Sequence, residues 1–251
     1  MSSFTTSLAA FGCVVAGMLL GFVCQLFLRE DHRSPETKEV VRLGLGLVGT
    51  TVALVLGLLI ASGKGFYDTQ NSELTEAAAN VVLLERVLVH YGPETKEARM
   101  LLRSSVAGLV DIAKSRAEMG VLRSNPTALR GEAVFDKIQE LSPQNDSQRL
   151  LQNQAISLAM KLGQTRWLVF AQQTASVPMP LLAMLVFWLT LIFMSFGLFV
   201  RPNVTVVSSL LISALAVCGA IFLILEMYQP YTGLIRVSTA PLQAALAQLG
   251  Q

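Results

Sequence analysis

The sequence predicts an all-α membrane protein, with four transmembrane helices as two hairpins flanking a helical extramembrane bundle. Three observations carry that expectation. Four stretches, Met1 to Leu28, Leu43 to Gly63, Trp167 to Val200 and Pro202 to Leu225, hold no charged residue. A helix rises about 1.5 Å per residue and the hydrocarbon core of a bilayer is about 30 Å thick, so roughly 20 such residues cross it. Mean hydropathy is +0.55 and charged residues make up only 14% of the chain, too few to coat a soluble molecule around four buried helices. No stretch alternates polar and apolar residues as a strand does, while the polar segments repeat apolar residues at helical spacing.

The first span, about Leu8 to Leu28, carries Gly17 and Gly21 four residues apart, a spacing that lets another helix backbone approach closely, with Cys13 extending the same narrow face. Its start lacks a basic segment and its apolar run is too long for a cleaved signal, so it is expected to remain as a span. A hydrophilic link from Arg29 to Arg42 joins it to the second span and makes the pair an antiparallel hairpin, with Pro35 starting the helix that leads in. In the second span, Gly49, Ala53, Gly57, Ala61 and Gly65 repeat every four residues and form one shallow groove, while Leu54, Val55, Leu58 and Leu59 occupy other faces. Gly44, Gly46 and Gly49 spell a dinucleotide fingerprint, but that motif needs a preceding strand and a helix start facing phosphate, so it is set aside.

Beyond Phe66 no strong breaker occurs before Gly92-Pro93, and Leu74, Val81 and Leu88 recur every seven residues with Ala77 and Leu84 between them, so the second span continues as a long helix out of the membrane. A helix restarts at Pro93 with an apolar face of Ala98, Leu102, Val106, Leu109 and Ala113 and ends near Gly120. Leu129 to Leu141 forms a shorter amphipathic helix after the turn at Ser124-Asn-Pro126, and Ser142-Pro143 opens a longer one with the stripe Leu151, Ala155, Leu158, Leu162 and Val169. Arg166 and Trp167 suit a membrane interface. The third span, Leu181 to Val200, is rich in Phe and Trp and poor in small residues, which suits the lipid-facing periphery. Arg201-Pro-Asn203 turns into the fourth span, where Ser209, Ser213, Ala216 and Ala220 form another narrow face. Pro241 begins a terminal amphipathic helix with Leu242, Ala245, Leu246 and Leu249 on one face. The expected organisation is 1–63 as the first hairpin, 64–176 as the bundle, 177–228 as the second hairpin and 229–251 as the tail.

Composition narrows the function classes. A net charge of +2 with both signs interleaved gives no basic stripe, which excludes nucleic acid as a partner. Cys13, Cys24 and Cys218 lie in apolar stretches and act as small hydrophobes. With His32 and His90 the only histidines, and no HExxH, CxxC, GxSxG or phosphate-binding loop, nothing specifies an enzyme, a metal centre or a cofactor. Glu30-Asp31-His32 is too few oxygens for a calcium site. The small residues of the second span serve either helix packing alone or the lining of a pore in an oligomer, and they leave both readings open. Glu226, near the end of the fourth span, is either an interfacial anchor within reach of Tyr228 and Tyr231 or an ion contact. Lys64 and Asp68, one turn apart beyond the second span, are either solvated surface charges or the mouth of that pore, where they oppose each other in ion preference.

The run from Arg33 through Pro35, Arg42 and Leu47, the run Leu54 to Ser62, and the run Leu225-Glu-Met-Tyr-Gln-Pro-Tyr-Thr-Gly233 resemble the bacterial membrane family labelled bestrophin-like. The resemblance covers nearly the whole chain. It implies kinship with bestrophins, ring-shaped oligomeric anion channels with two pairs of membrane helices, a helical body and a pore lined by the second membrane helix. The aromatic neck of bestrophins is absent here, where Val52, Leu54, Val55 and Leu58 stand, and so is their acidic calcium clasp after the last span. No bestrophin functional residue is carried over. The expected function is a homo-oligomeric ion channel of the bacterial inner membrane, its partners being the lipid bilayer, other copies of itself and inorganic ions. The alternative is a non-conducting scaffold or sensor that binds a partner through its bundle. Arg29, Arg33, Lys38, Arg42 and Arg201 fall in the loops away from the bundle, so the positive-inside rule places the bundle outside the cytoplasm, whereas bestrophin precedent places it within.

Overall fold

A computed structural model describes residues 3–27, 35–119, 126–172, 177–229 and 233–250. Its described residues form eight α-helices and one short 3-10 turn: α1 (Ser3–Phe27), α2 (Pro35–Tyr91), the turn Pro93–Thr95, α3 (Lys96–Met119), α4 (Pro126–Gln139), α5 (Asp146–Gln172), α6 (Met179–Phe199), α7 (Val204–Met227) and α8 (Ala240–Gln248). Four of them, α1, α2, α6 and α7, are long and apolar enough to cross a membrane, so the all-α, four-span class expected from the sequence is what folds. The chain divides into two units: residues 1–66 with 176–228, and residues 67–175 with 229–251. The 57 residues of α2 belong to both, as the absence of Gly or Pro breakers between Gly65 and Gly92 requires.

In the first unit, Ala10, Val14 and Met18 of α1, Val52 and Leu59 of α2, Leu182, Leu185, Leu189 and Phe193 of α6, and Ala214, Cys218, Ile221, Ile224 and Leu225 of α7 form one core. Gly17 and Gly21 are the tightest part of it. A Cβ on Gly17 would stand 2.8 Å from the Thr190 carbonyl oxygen, and one on Gly21 would meet the Met194 carbonyl and come within 3.0 Å of the Gly197 Cα. Without hydrogen atoms in their place these two backbones could not touch, and touching is what holds helices together where lipid offers no hydrophobic drive. The pairing advances from 17 with 190 to 21 with 194, so α1 and α6 run parallel. Two expectations change here. Cys13 is exposed, because the buried face of α1 runs through Ala10, Val14, Gly17 and Gly21 instead. The third span, α6, is not simply peripheral: Gly197, its one glycine, lies against Met18, Gly21 and Phe22 of α1.

Pro178 precedes α6, and Asn203 caps α7 by accepting a hydrogen bond from the Val206 amide at 2.7 Å. The inward face of α7 passes through Ala214, Cys218 and Ile221, while Ser209, Ser213 and Ala216 are exposed.

The second unit is a helical bundle around Ala78, Val81, Leu84 and Leu88 of α2, Ala98, Leu102 and Val106 of α3, Val134 and Ile138 of α4, Ala155 and Leu158 of α5, Leu242 and Ala245 of α8, and Leu249 just after it. The terminal helix thus buries the apolar face its spacing predicts. Val110 is buried in place of the expected Leu109, which is half-buried, and the side chains of Ala113 and Val169 lie outside the described residues. Gly92 ends α2 at φ +137°, a conformation that favours glycine. The Thr95 hydroxyl then reaches the carbonyls of Leu88 (2.7 Å) and Gly92 (2.8 Å). Arg99 holds the buried Glu85 through its Nε (2.8 Å) and Nη2 (2.6 Å), both on Oε1. Helix α5 starts at Asp146 rather than at Ser142-Pro143, because Asn145 caps it by accepting from the Gln148 amide at 2.8 Å. The Glu30-Asp31-His32 cluster falls outside the described residues.

Candidate functional site

The membrane half of α2 differs from the other spans in how little of it the rest of the chain covers. Its most apolar window is 11% buried, against 33% for α1, 28% for α6 and 22% for α7. Val52, Leu59 and Gly63 form the inward face, since these positions fall within about 40° of one another at about 100° per residue. The small-residue strip lies on average about 140° around the helix from them. Ala53, Gly57, Ala61 and Gly65 are exposed and Gly49 is half-buried. A Cβ added at Gly49, Gly57 or Gly65 would meet nothing within 4 Å. Leu54 and Leu58, beside the strip, are 75% and 68% exposed. Among the described residues, nothing packs against the Cβ side of Gly49 or Gly57, in contrast to Gly17, Gly21 and Gly197.

Thr50 and Thr51 both return their hydroxyls to the Leu47 carbonyl, at 2.8 and 3.0 Å. These polar groups are thereby satisfied inside their own helix, as an apolar surrounding requires. At the far end of the strip, Lys64 and Asp68 are exposed on α2. Glu226 is 5% exposed, near the end of α7. Lys64 and Asp68 are thus exposed, whereas Glu226 is buried.

One arrangement had no signal in the sequence. Where α2 leaves its apolar stretch, Tyr228 at the end of α7 lies against it. The Tyr228 hydroxyl is 2.8 Å from the Ser62 hydroxyl. Its ring stacks on Phe66 with centroids 5.5 Å apart and planes 16° from parallel. Gly63, between these two contacts, leaves room for the ring, since a Cβ there would stand 3.3 Å from Tyr228 Cε2. Residues 166 apart in sequence make this contact, so no local pattern announces it. No group of three or more metal-ligating side chains occurs among the described residues.

Comparison with known proteins agrees with the fold. No curated protein matches the chain by sequence. Among solved structures, a point variant of a bacterial bestrophin homologue from Klebsiella pneumoniae is similar at a TM-score of 0.56 and 16% identity, covering 94% of this chain and 97% of that one. A second point variant of the Klebsiella pneumoniae homologue matches at a TM-score of 0.55 and 16% identity, over 95% of this chain and 99% of the other. A structure described as a membrane protein variant matches at 0.50 and 16% identity, over 97% and 99%. At that identity the likeness establishes the fold. The model of the bestrophin-like domain matches residues 12–242, and on that extent of agreement the chain is a member of the bestrophin-like family of multi-pass membrane proteins.

Proposed function

We propose that the protein is the subunit of a homo-oligomeric ion channel in the bacterial inner membrane, with passive permeation along an axis surrounded by α2. The observation that carries this reading is the small-residue strip of α2, exposed at Ala53, Gly57 and Ala61, on the span least covered by the rest of the chain. Small residues favour helix association in lipid by permitting close backbone approach, and among the described residues nothing stands within 4 Å of a Cβ built at Gly49 or Gly57. Family membership supplies the second support, since bestrophins are ring-shaped channels lined by their second membrane helix. In this reading Leu54 and Leu58 form the aliphatic wall, and Lys64 and Asp68 stand at its mouth and offset each other's charge. Glu226, inside the subunit, serves as an anchor rather than as an ion contact. No step of the function calls for catalysis or a cofactor. The basic residues of the two short loops, Arg29, Arg33, Lys38, Arg42 and Arg201, support an extracytoplasmic bundle under the positive-inside rule.

Reconstitution into liposomes tests the reading. Salt flux that scales with protein and is reduced by Gly57→Leu, with a loss of oligomer in detergent, is the expected result. Absence of flux across a range of salts and voltages would overturn it. The alternative, a scaffold or sensor, draws on the exposed Met100, Leu150 and Met160 of the bundle unit. It predicts an intact oligomer or monomer that conducts nothing and is unaffected in the membrane by Gly57→Leu.

A further inference from the structure

A helix held by few contacts needs something to fix its rotation, and α2 is such a helix in the membrane unit. Its buried positions there, Val52, Leu59 and Gly63, with the half-buried Val48, Val55 and Leu56 that pack against the same core, span about 100° of the helix. Apolar contact of this kind leaves a helix some freedom to roll, because van der Waals attraction is weakly directional. Tyr228 adds directional contacts to it. It touches α2 at three points spread over about one turn: the hydroxyl of Ser62 at 2.8 Å, the ring of Phe66 at a centroid distance of 5.5 Å, and the bare backbone of Gly63. A hydrogen bond and a stacked ring are both directional, so together they fix an angle and not merely a distance. Tyr228 is itself held at the end of α7, where its amide donates to the Ile224 carbonyl at 3.3 Å.

We propose that Tyr228 is a positioning residue that sets the rotation of α2 about its own axis, through Ser62, Gly63 and Phe66, and so determines that the small-residue strip faces outward toward neighbouring copies. The rotational setting belongs to the single subunit. Its consequence for assembly and flux rests on the channel reading above.

The test is a nitroxide scan of positions 50–61 in lipid nanodiscs, with Cys13, Cys24 and Cys218 replaced by Ala. Oxygen accessibility along a helix oscillates with a period of about 3.6 residues, and its phase reports rotation whatever the amplitude. Tyr228→Leu, which keeps bulk but loses the ring and hydroxyl, is expected to shift the phase by about 30° or more, roughly a third of one residue step. Tyr228→Phe keeps the stack but loses the hydrogen bond, and is expected to shift it less. A parent-like phase in Tyr228→Leu overturns the proposal. Should that variant lose its periodicity altogether, Tyr228→Phe decides: a shifted phase supports the role and an unchanged one overturns it. An assembly that carries no ions would overturn the channel reading and leave this phase measurement standing.

Discussion

Gly21→Ala and Gly57→Ala add the same methyl group to two membrane helices of one chain, yet they are expected to act on different equilibria. At position 21 the methyl meets the Met194 carbonyl and falls 3.0 Å from both the Gly197 Cα and the Leu198 amide nitrogen. All three are backbone atoms, so no side chain can swing aside and α1 must move away from α6. Carbon contacts are comfortable at about 3.5–4.0 Å, so the separation is on the order of 1 Å, a gap that forfeits up to about half of the dispersion energy at the crossing. Overpacking of this kind costs about 1–3 kcal/mol, against at most about 1 kcal/mol regained from the helix propensity of Ala. The net expectation is a loss of about 1–2 kcal/mol, a factor of roughly 5 to 30 in the unfolding equilibrium. Gly197→Ala attacks the same crossing from the other side, meeting Met18, Phe22 and Gly21. The double variant should therefore fall short of additivity by about 1 kcal/mol, since one separation accommodates both methyls. At position 57 nothing lies within 4 Å. The subunit should then be as stable as the parent or up to about 1 kcal/mol more so, while the oligomer weakens. Unfolding in mixed detergent and SDS micelles, followed by helical circular dichroism beside oligomer size, separates the two effects. Equal destabilisation of the subunit by both substitutions, or a neutral Gly21→Ala, would refute the division of labour between the two glycine sets.

Three further outcomes are expected. Arg99→Ala strands the Glu85 carboxylate, whose side chain is only 9% exposed, and should destabilise the bundle by about 2–3 kcal/mol, below the usual cost because Arg99 is itself partly solvated. Thermal unfolding should show most of that loss recovered in Glu85→Leu with Arg99→Met. Tyr91→Phe should be neutral or stabilising by about 1 kcal/mol, because the phenol oxygen is buried with no hydrogen-bond partner among the described residues. Burial, and secondarily Glu94, raise the Tyr91 pKa. The unfolded phenol ionises near pH 10 or so, so the stability this group contributes is complete below that pH and is lost as pH rises toward the folded value. Tyr91→Phe should remove that alkaline loss, and a melt series from neutral to alkaline pH that shows the same decline in both proteins would contradict it. Asn203→Ala removes the cap on the Val206 amide and should cost about 1 kcal/mol in the same micelle titration used above. No measurable change there would mean that water serves the helix start equally well.

The elements of this fold are largely readable in its sequence because length and period are local properties. Charge-free runs mark the four spans, the seven-residue recurrence of Leu74, Val81 and Leu88 marks α2 as a single long helix, and Leu242, Ala245 and Leu249 mark the face that α8 buries. What the period cannot say is which partner a face meets. Gly17 and Gly21 signal close approach, but the helix they approach lies about 170 residues later, and Cys13 shares their spacing without sharing their contact. The same small-residue signal on α2 ends in open space instead. Ser142-Pro143 reads as a helix start, yet Asn145 wins because its side chain reaches the Gln148 amide. The Tyr228 contact with Ser62 and Phe66 is legible only in three dimensions.

The most direct test of the central claim is an experimental structure of the purified protein assembled in lipid nanodiscs. The account predicts a closed ring in which α2 lies nearest the symmetry axis, with Ala53, Gly57 and Ala61 turned toward a neighbouring subunit or the axis itself. Single subunits, or a ring in which that strip looks out into lipid while another span surrounds the axis, would contradict it.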